Sequence, residues 1–186
     1  LNKYNENSVI AEFFTENHGK VVGTIFGSTS KKIKNYLLVG NKFHINFNSK
    51  QDSKIGYFKI EIDEINTPKY LDNKKKLFCL IYTMNIVKLL TVEYQENKLI
   101  YELINNFFKS LRENNWLINF IFWELKFYKC IGYDVNFKNY VKNVTIEGNE
   151  KFVVESTKQL IPSFLINNDI SSSNKEDIVS GFKIVG

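Results

Sequence analysis

The chain has 186 residues, enough for one large domain or two small ones. With 44% hydrophobic and 15% aromatic residues it carries ample core material, which excludes wholesale disorder. No apolar run approaches the ~20 residues of a membrane span, and the polar start LNKYNENS is no signal peptide. The net charge is +5 with a pI near 9.0, and Arg112 is the sole arginine among 25 basic residues.

The first third reads as β-structure. Ser8–Thr15 and residues 20–26 flank the turn 16–19 as a hairpin, with Gly19 where φ must be positive. Lys42–Asn48 alternates cleanly: Phe43, Ile45 and Phe47 on one face, Lys42, His44 and Asn46 on the other. Residues 57–65 alternate again, with Phe58, Ile60 and Ile62 inward. Between the second and third strands lies GSTSKKIKNYLLVGN, a loop with one short helical turn expected at 33–38. Four short strands with polar outer faces have to close or be covered. A five-stranded OB-type barrel fits if a first strand precedes Leu1.

After Pro68 the period becomes helical. Asp72 is the expected cap of a helix over about 73–94; further helices are expected at 96–113 and 116–131. The third is apolar nearly all round (WLINFIFWELKFYKCI) and stops at Gly132, which marks it as the buried centre of the set. Residues 136–165 form a small irregular subdomain with strand-like pieces at 140–146 and 151–155. A last helix starts near 174–175, with Glu176 and Asp177 in its first turn. The fold class is α+β: an OB-type domain over 1–68 and a mainly helical domain over 69–186.

Catalytic patterns are missing. There is no phosphate-binding Gly-Lys-Ser/Thr loop, no GxGxxG, no GxSxG and no HExxH. Glu124, in the apolar helix, reads as a helix-surface or interhelical polar contact. Cys79 and Cys130 read as buried core thiols of a reduced protein. No enzyme, metal or cofactor is expected.

The charge, by contrast, is localised. Residues 28–59 hold seven lysines (Lys31, Lys32, Lys34, Lys42, Lys50, Lys54 and Lys59) against one acid, Asp52; that +6 exceeds the +5 of the whole chain. An OB-type face with such loops binds nucleic acid, with aromatics as stacking platforms. The candidate interface comprises these lysines, Lys20 on the second strand, and Tyr36 and Tyr57. Lysines also keep sheet edges soluble, and charge alone does not separate the two roles.

Several segments, in order, resemble the RecO family of bacterial recombination-repair proteins. ENSVIAEFFTENHGK is similar to its first hairpin through Glu6, Ile10, Thr15 and Gly19. GSTSKKIKNYLLVGNKFHI is similar to its basic loop, and VEYQENKLIYELI to the link between its first two helices. WELKFYKCIGYDV, LIPSFL and EDIVSGFKIVG resemble its later helical segments. The resemblance implies an OB fold followed by a helical domain, binding of single- and double-stranded DNA, strand annealing, and help in loading recombinase. It implies RecR, single-stranded-DNA-binding protein and RecA as partners, and a cytoplasmic, nucleoid-associated place. Some members carry a four-cysteine zinc site; here Tyr140 and Asn143 fall at its first two positions, so apolar packing around Tyr140 is expected instead of metal. A protein-interaction adaptor and an RNA-binding OB protein are the competing functions.

Overall fold

The computed structural model describes residues 2–48, 55–146, 149–168 and 173–185. The chain divides into two compact units, 1–102 and 103–186. That division falls within a helix rather than at the expected border of 68, because the helix after Pro68 belongs with the sheet.

Unit one contains β1 (Asn2–Asn5), β2 (Ser8–Thr15), β3 (Gly19–Phe26), α1 (Lys31–Lys34), β4 (Lys42–Asn48), β5 (Gly56–Glu64), a 3-10 turn (Thr67–Tyr70) and α2 (Lys74–Leu90). The five strands form one sheet in the order β1-β2-β3-β5-β4, antiparallel except where β3 runs parallel to β5. A fifth strand, β1, lies within the described residues and pairs antiparallel with β2 through Asn2↔Ile10 and Asn5↔Ser8. This is a five-stranded Greek-key order, open at one seam: no ladder joins β1 to β4 among the described residues.

Alternation holds for Phe58, Ile45 and Ile60, but Phe47 and Ile62, expected inward, are 37% and 39% exposed. Ala11, Val21, Ile25 and Phe58 are buried, with Val9, Phe13, Ile45 and Ile60 packed against them and Leu37 closing over from the segment after α1. Phe13 meets Phe58 edge-on at 5.0 Å. The β2–β3 turn is held by Thr15, whose Oγ1 donates to the Gly19 carbonyl and accepts from His18 N. Gly19 is required twice. Its φ is +62°, and a Cβ there would lie 1.8 Å from the Gln95 carbonyl oxygen. That close approach brings residues 93–95 onto β3: Glu93 bridges to Lys20, and Tyr94 N donates to the Lys20 carbonyl at 2.8 Å. The chain therefore leaves the helical path at Thr91, and α2 stops at Leu90 rather than near 94. Its cap is Asn73, not Asp72: the Asn73 side chain accepts from Lys76 N.

Helix α3 (Lys98–Ser110) crosses the division between the units. Unit two holds α4 (Trp116–Cys130), a 3-10 turn (Phe137–Asn139), β6 (Val141–Ile146), β7 (Asn149–Val154), β8 (Leu160–Ile161), α5 (Ser163–Asn167) and α6 (Lys175–Val185). As the apolar sequence implies, α4 is central: Ile121 and Phe127 are fully buried, and Ile121 packs with Ile161, Phe164, Leu165 and Ile166. Trp123 stacks on Phe127 at 5.3 Å and donates through Nε1 to the Leu103 carbonyl at 2.8 Å. The irregular stretch is a three-stranded antiparallel sheet, β6-β7-β8. Phe137, Val141, Phe152 and Val154 pack onto the core. Tyr140 does not: it is 65% exposed, so the expected apolar filling around it comes from its neighbours instead. Helix α6 begins with a reciprocal cap. Asn174 Oδ1 accepts from Glu176 N and Asp177 N, and Asp177 Oδ2 accepts from Asn174 N. Gly181 lets α6 close on Phe164, whose ring would lie 2.4 Å from a Cβ there.

Candidate nucleic-acid interface

The lysines of the basic stretch stand in three different situations. Lys31, Lys32 and Lys34 form α1 itself, a single turn starting two residues earlier than expected, and all three are exposed. The turn is anchored at both ends by backbone. Ile33 N and Lys34 N donate to the Ser30 carbonyl, and the preceding loop is tied down by Gly27 N and Ser28 N donating to Asn7 O. Beyond the turn, Asn41 fastens the chain: its Nδ2 donates to the Tyr36 carbonyl, and its Oδ1 accepts from Asn66 N and Thr67 N. The Tyr36 ring, 40% exposed, is thereby presented from a fixed backbone.

The strand lysines are different. Lys42 pairs with Asp63 at 3.4 Å, and His44 Nε2 lies 3.5 Å from the same carboxylate. Lys20 makes a structural contact: its Nζ donates to the Lys88 carbonyl at 2.8 Å, near the end of α2, while Lys88 pairs with Glu12 at 2.6 Å. Lys20 and Lys42 thus carry structural contacts that the sequence reading did not foresee. Lys59 is exposed and faces Asn46 across the β4–β5 ladder. Lys50 and Lys54 lie outside the described residues.

Alternation along β5 puts Tyr57 and Lys59 on the outer face, followed on that face by Glu61 and Asp63. The basic character therefore ends midway along the strand. At the basic end, Tyr57 lies against Phe26, with ring centroids 5.9 Å apart and planes tilted by 51°. Phe26 is 59% exposed and is the last residue of β3, immediately before the loop to α1. It is an additional stacking candidate. Its signal was the even-numbered face of β3, shared with Lys20 and Thr24. Phe26 thus joins Tyr57 and Lys59 through the β3–β5 ladder and precedes α1 in the chain, while Lys20 and Lys42 also make the structural contacts described above.

The residues that suggested chemistry take structural positions. Glu124 is fully buried, so it is not on the helix surface; it accepts from Tyr128 Oη at 3.3 Å, one turn on in α4. Cys79 is buried in α2. Cys130 is only partly buried, at the end of α4, and burial raises its thiol pKa. Among the described residues no three His, Cys, Asp or Glu side chains gather to hold a metal. Tyr140 and Asn143, just before and within β6, are exposed and offer no thiolate, so they do not fit a structural zinc. No helix among the described residues is long and apolar enough to cross a membrane.

The class defined by these features is a mixed α+β protein with an OB-ordered sheet that carries a lysine turn and outward aromatics, next to helices. Residues 72–167 match the family described as "Recombination protein O C terminal". That match covers more than half of the chain, and the chain belongs to the RecO family. Its relatives include a DNA repair protein RecO of Ehrlichia chaffeensis, 26% identical over 163 residues, covering 87% of this chain and 66% of the relative. One of Rickettsia bellii is 29% identical over 141 residues, covering 75% and 58%. One of Bartonella henselae is 23% identical over 201 residues, covering 99% and 77%. The chain thus spans less than two thirds of the length of the Ehrlichia and Rickettsia proteins.

Proposed function

We propose that the chain is a non-catalytic DNA-repair protein that binds single- and double-stranded DNA through α1 and the outer end of β3 and β5. The observation that carries this reading is the exposed lysine turn, Lys31, Lys32 and Lys34, held on a fixed backbone, which follows in the chain the strand that ends at Phe26 of the Phe26–Tyr57 pair. The relatives are named DNA repair proteins, which supports DNA as the polymer. Lysines neutralise phosphates and release counterions; two strands held on one basic surface repel each other less and pair faster. Annealing follows from that physics and needs no reaction at the DNA; help in loading recombinase onto coated single strands requires the protein partners below.

The partners proposed are RecR, RecA and single-stranded-DNA-binding protein, in the bacterial cytoplasm at the nucleoid. Unit two offers a cavity of about 450 Å³ whose lining includes Leu103, Phe107, Phe122, Trp123 and Lys126. Aromatic walls with one ammonium group suit the acidic tail of the single-strand-binding protein.

The test is Lys31→Glu/Lys32→Glu/Lys34→Glu in the full chain, assayed for annealing of labelled complementary strands and for binding across a salt series. Slower annealing and a flatter salt dependence support the reading. Unchanged annealing and slope overturn it in favour of a protein-interaction adaptor. Tighter binding to RNA than to DNA of matched sequence overturns the choice of polymer.

A further inference from the structure

Helix α2 breaks a local rule at its start. Its first turn carries Lys74, Lys75 and Lys76 and no acid, although the amides of a helix N-terminus favour negative charge there. Asn73 satisfies one of those amides but does not offset the lysine charge. Among the described residues neither Lys74 nor Lys75 has a carboxylate within ion-pair reach. Lys69 and Lys88, near the two ends of the same segment, pair with Glu64 and Glu12.

The same helix turns rings outward. Residues three and four apart share a helix face, so Lys74 and Lys75 stand one turn from Phe78, and Phe78 one turn from Tyr82. The Phe78 and Tyr82 rings lie nearly parallel, 6.2 Å apart with planes at 19°, and Phe78 is 61% exposed. The core side of α2 is Cys79, Leu80, Thr83 and Val87, so Phe78 does not contribute to that packing. A lysine group placed against the helix dipole and an exposed ring beside it both lower stability in the absence of a ligand; such departures concentrate where function requires them.

We infer that this face of α2 is a second contact for single-stranded nucleic acid, with phosphates on Lys74 and Lys75 and a base on Phe78. An acidic protein segment fits less well. Lys74 and Lys75 project about 100° apart around the helix end, which suits successive phosphates more than one carboxylate, and an exposed ring accepts any base; Lys76 lies over the Tyr70 ring, 5.9 Å from its centroid. The inference rests on the chain binding nucleic acid at all, and the α1 triple variant serves as the parallel control.

The experiment uses the full chain with a fluorescent oligothymidylate of about 20 nucleotides, longer than a single OB-type sheet occupies. Lys74→Gln/Lys75→Gln is expected to lower the salt slope by roughly 1.4, about 0.7 for each single-strand phosphate contact. The same variant is expected to raise Tm by ~1–4 °C as the repulsion at the helix start is relieved. Phe78→Ala is expected to weaken binding about five-fold or more at every salt concentration, with the slope unchanged. If both α2 variants bind like the parent while the α1 variant loses slope, this inference falls, the α1 reading stands, and the face is left for a protein partner. If the α2 variants lose binding and the α1 variant does not, the inference stands and the α1 locus falls. If none of the variants differs from the parent, both fail.

Discussion

The α1 turn and the outer face of β4 and β5 have similar lysine content in the sequence but different electrostatics in the fold. On α1, Lys31, Lys32 and Lys34 project from one turn with no acid in it. On the strands, Lys42 shares Asp63 with His44, and Lys59 is followed on its face by Glu61. A lysine count along the chain measures potential charge; the ladder register decides how much of it reaches solvent unopposed. Surface ion pairs contribute little to stability, roughly 0–1 kcal/mol. Their effect on a phosphate ligand is larger, because a lysine already neutralised releases fewer counterions when DNA arrives.

The sharpest way to break this comparison is the α1 triple charge reversal. It is expected to weaken DNA binding on the order of a hundred-fold at low salt and to lower the salt slope by roughly 2 units. The thermal midpoint should hold, since no α1 side chain is buried. Gel-shift or anisotropy titrations at several salt concentrations read the first, and thermal unfolding the second. A strand variant with an equal effect would remove the distinction between the two regions.

Next in size are the rings. Phe26→Ala and Tyr57→Ala each remove a platform, and loss of a base stack costs about 1–3 kcal/mol. Binding to single strands should weaken by that amount at all salt concentrations, while duplex binding changes less because its bases are already stacked. Equal losses on both forms of DNA would show the rings to be structural.

Lys20 separates binding from stability. Its ammonium donates to the Lys88 carbonyl, and its backbone receives the chain at Glu93 and Tyr94. Lys20→Met retains the stem and removes the hydrogen bond, so stability should drop by about 1 kcal/mol with little change in DNA affinity. Chemical denaturation and a binding titration on the same variant check both halves. A binding loss without a stability loss would return Lys20 to the interface.

These contrasts show what was legible in the sequence. Strands β4 and β5 followed from alternation, β2 and β3 from the turn that joins them, and α4 from its all-round apolar character, because all three signals are local. Strand β1 was not legible: NKYN is four exposed residues with no alternation, and it becomes a strand only by pairing with β2. The helix cap was misjudged by one residue, since Asp72 and Asn73 offer equivalent oxygens and only backbone geometry selects Asn73. The site was half legible. The lysine turn is contiguous and needs no tertiary information. The roles of Lys20 and Lys42 depend on contacts 68 and 21 positions away, and no periodicity reports those. Phe26 lay within reach of the same alternation that placed Tyr57.

The smallest predicted effect tests that last point most directly. The irregularity between Lys42 and Phe43 displaces Lys42 to face Glu64 in the ladder and leaves its ammonium beside Asp63. Asp63→Asn preserves the shape and removes the carboxylate that holds both Lys42 and His44. If Lys42 is merely neutralised, releasing it should add at most one phosphate contact, raising the salt slope by about 0.7–0.9 and affinity by a few-fold at low salt. Stability should fall by less than about 1 kcal/mol, since the pair is partly exposed. If the slope does not rise, Lys42 lies off the path of the DNA altogether. The interface would then narrow to α1 with Phe26, Tyr57 and Lys59, and the difference between turn and strand would be one of position rather than of pairing.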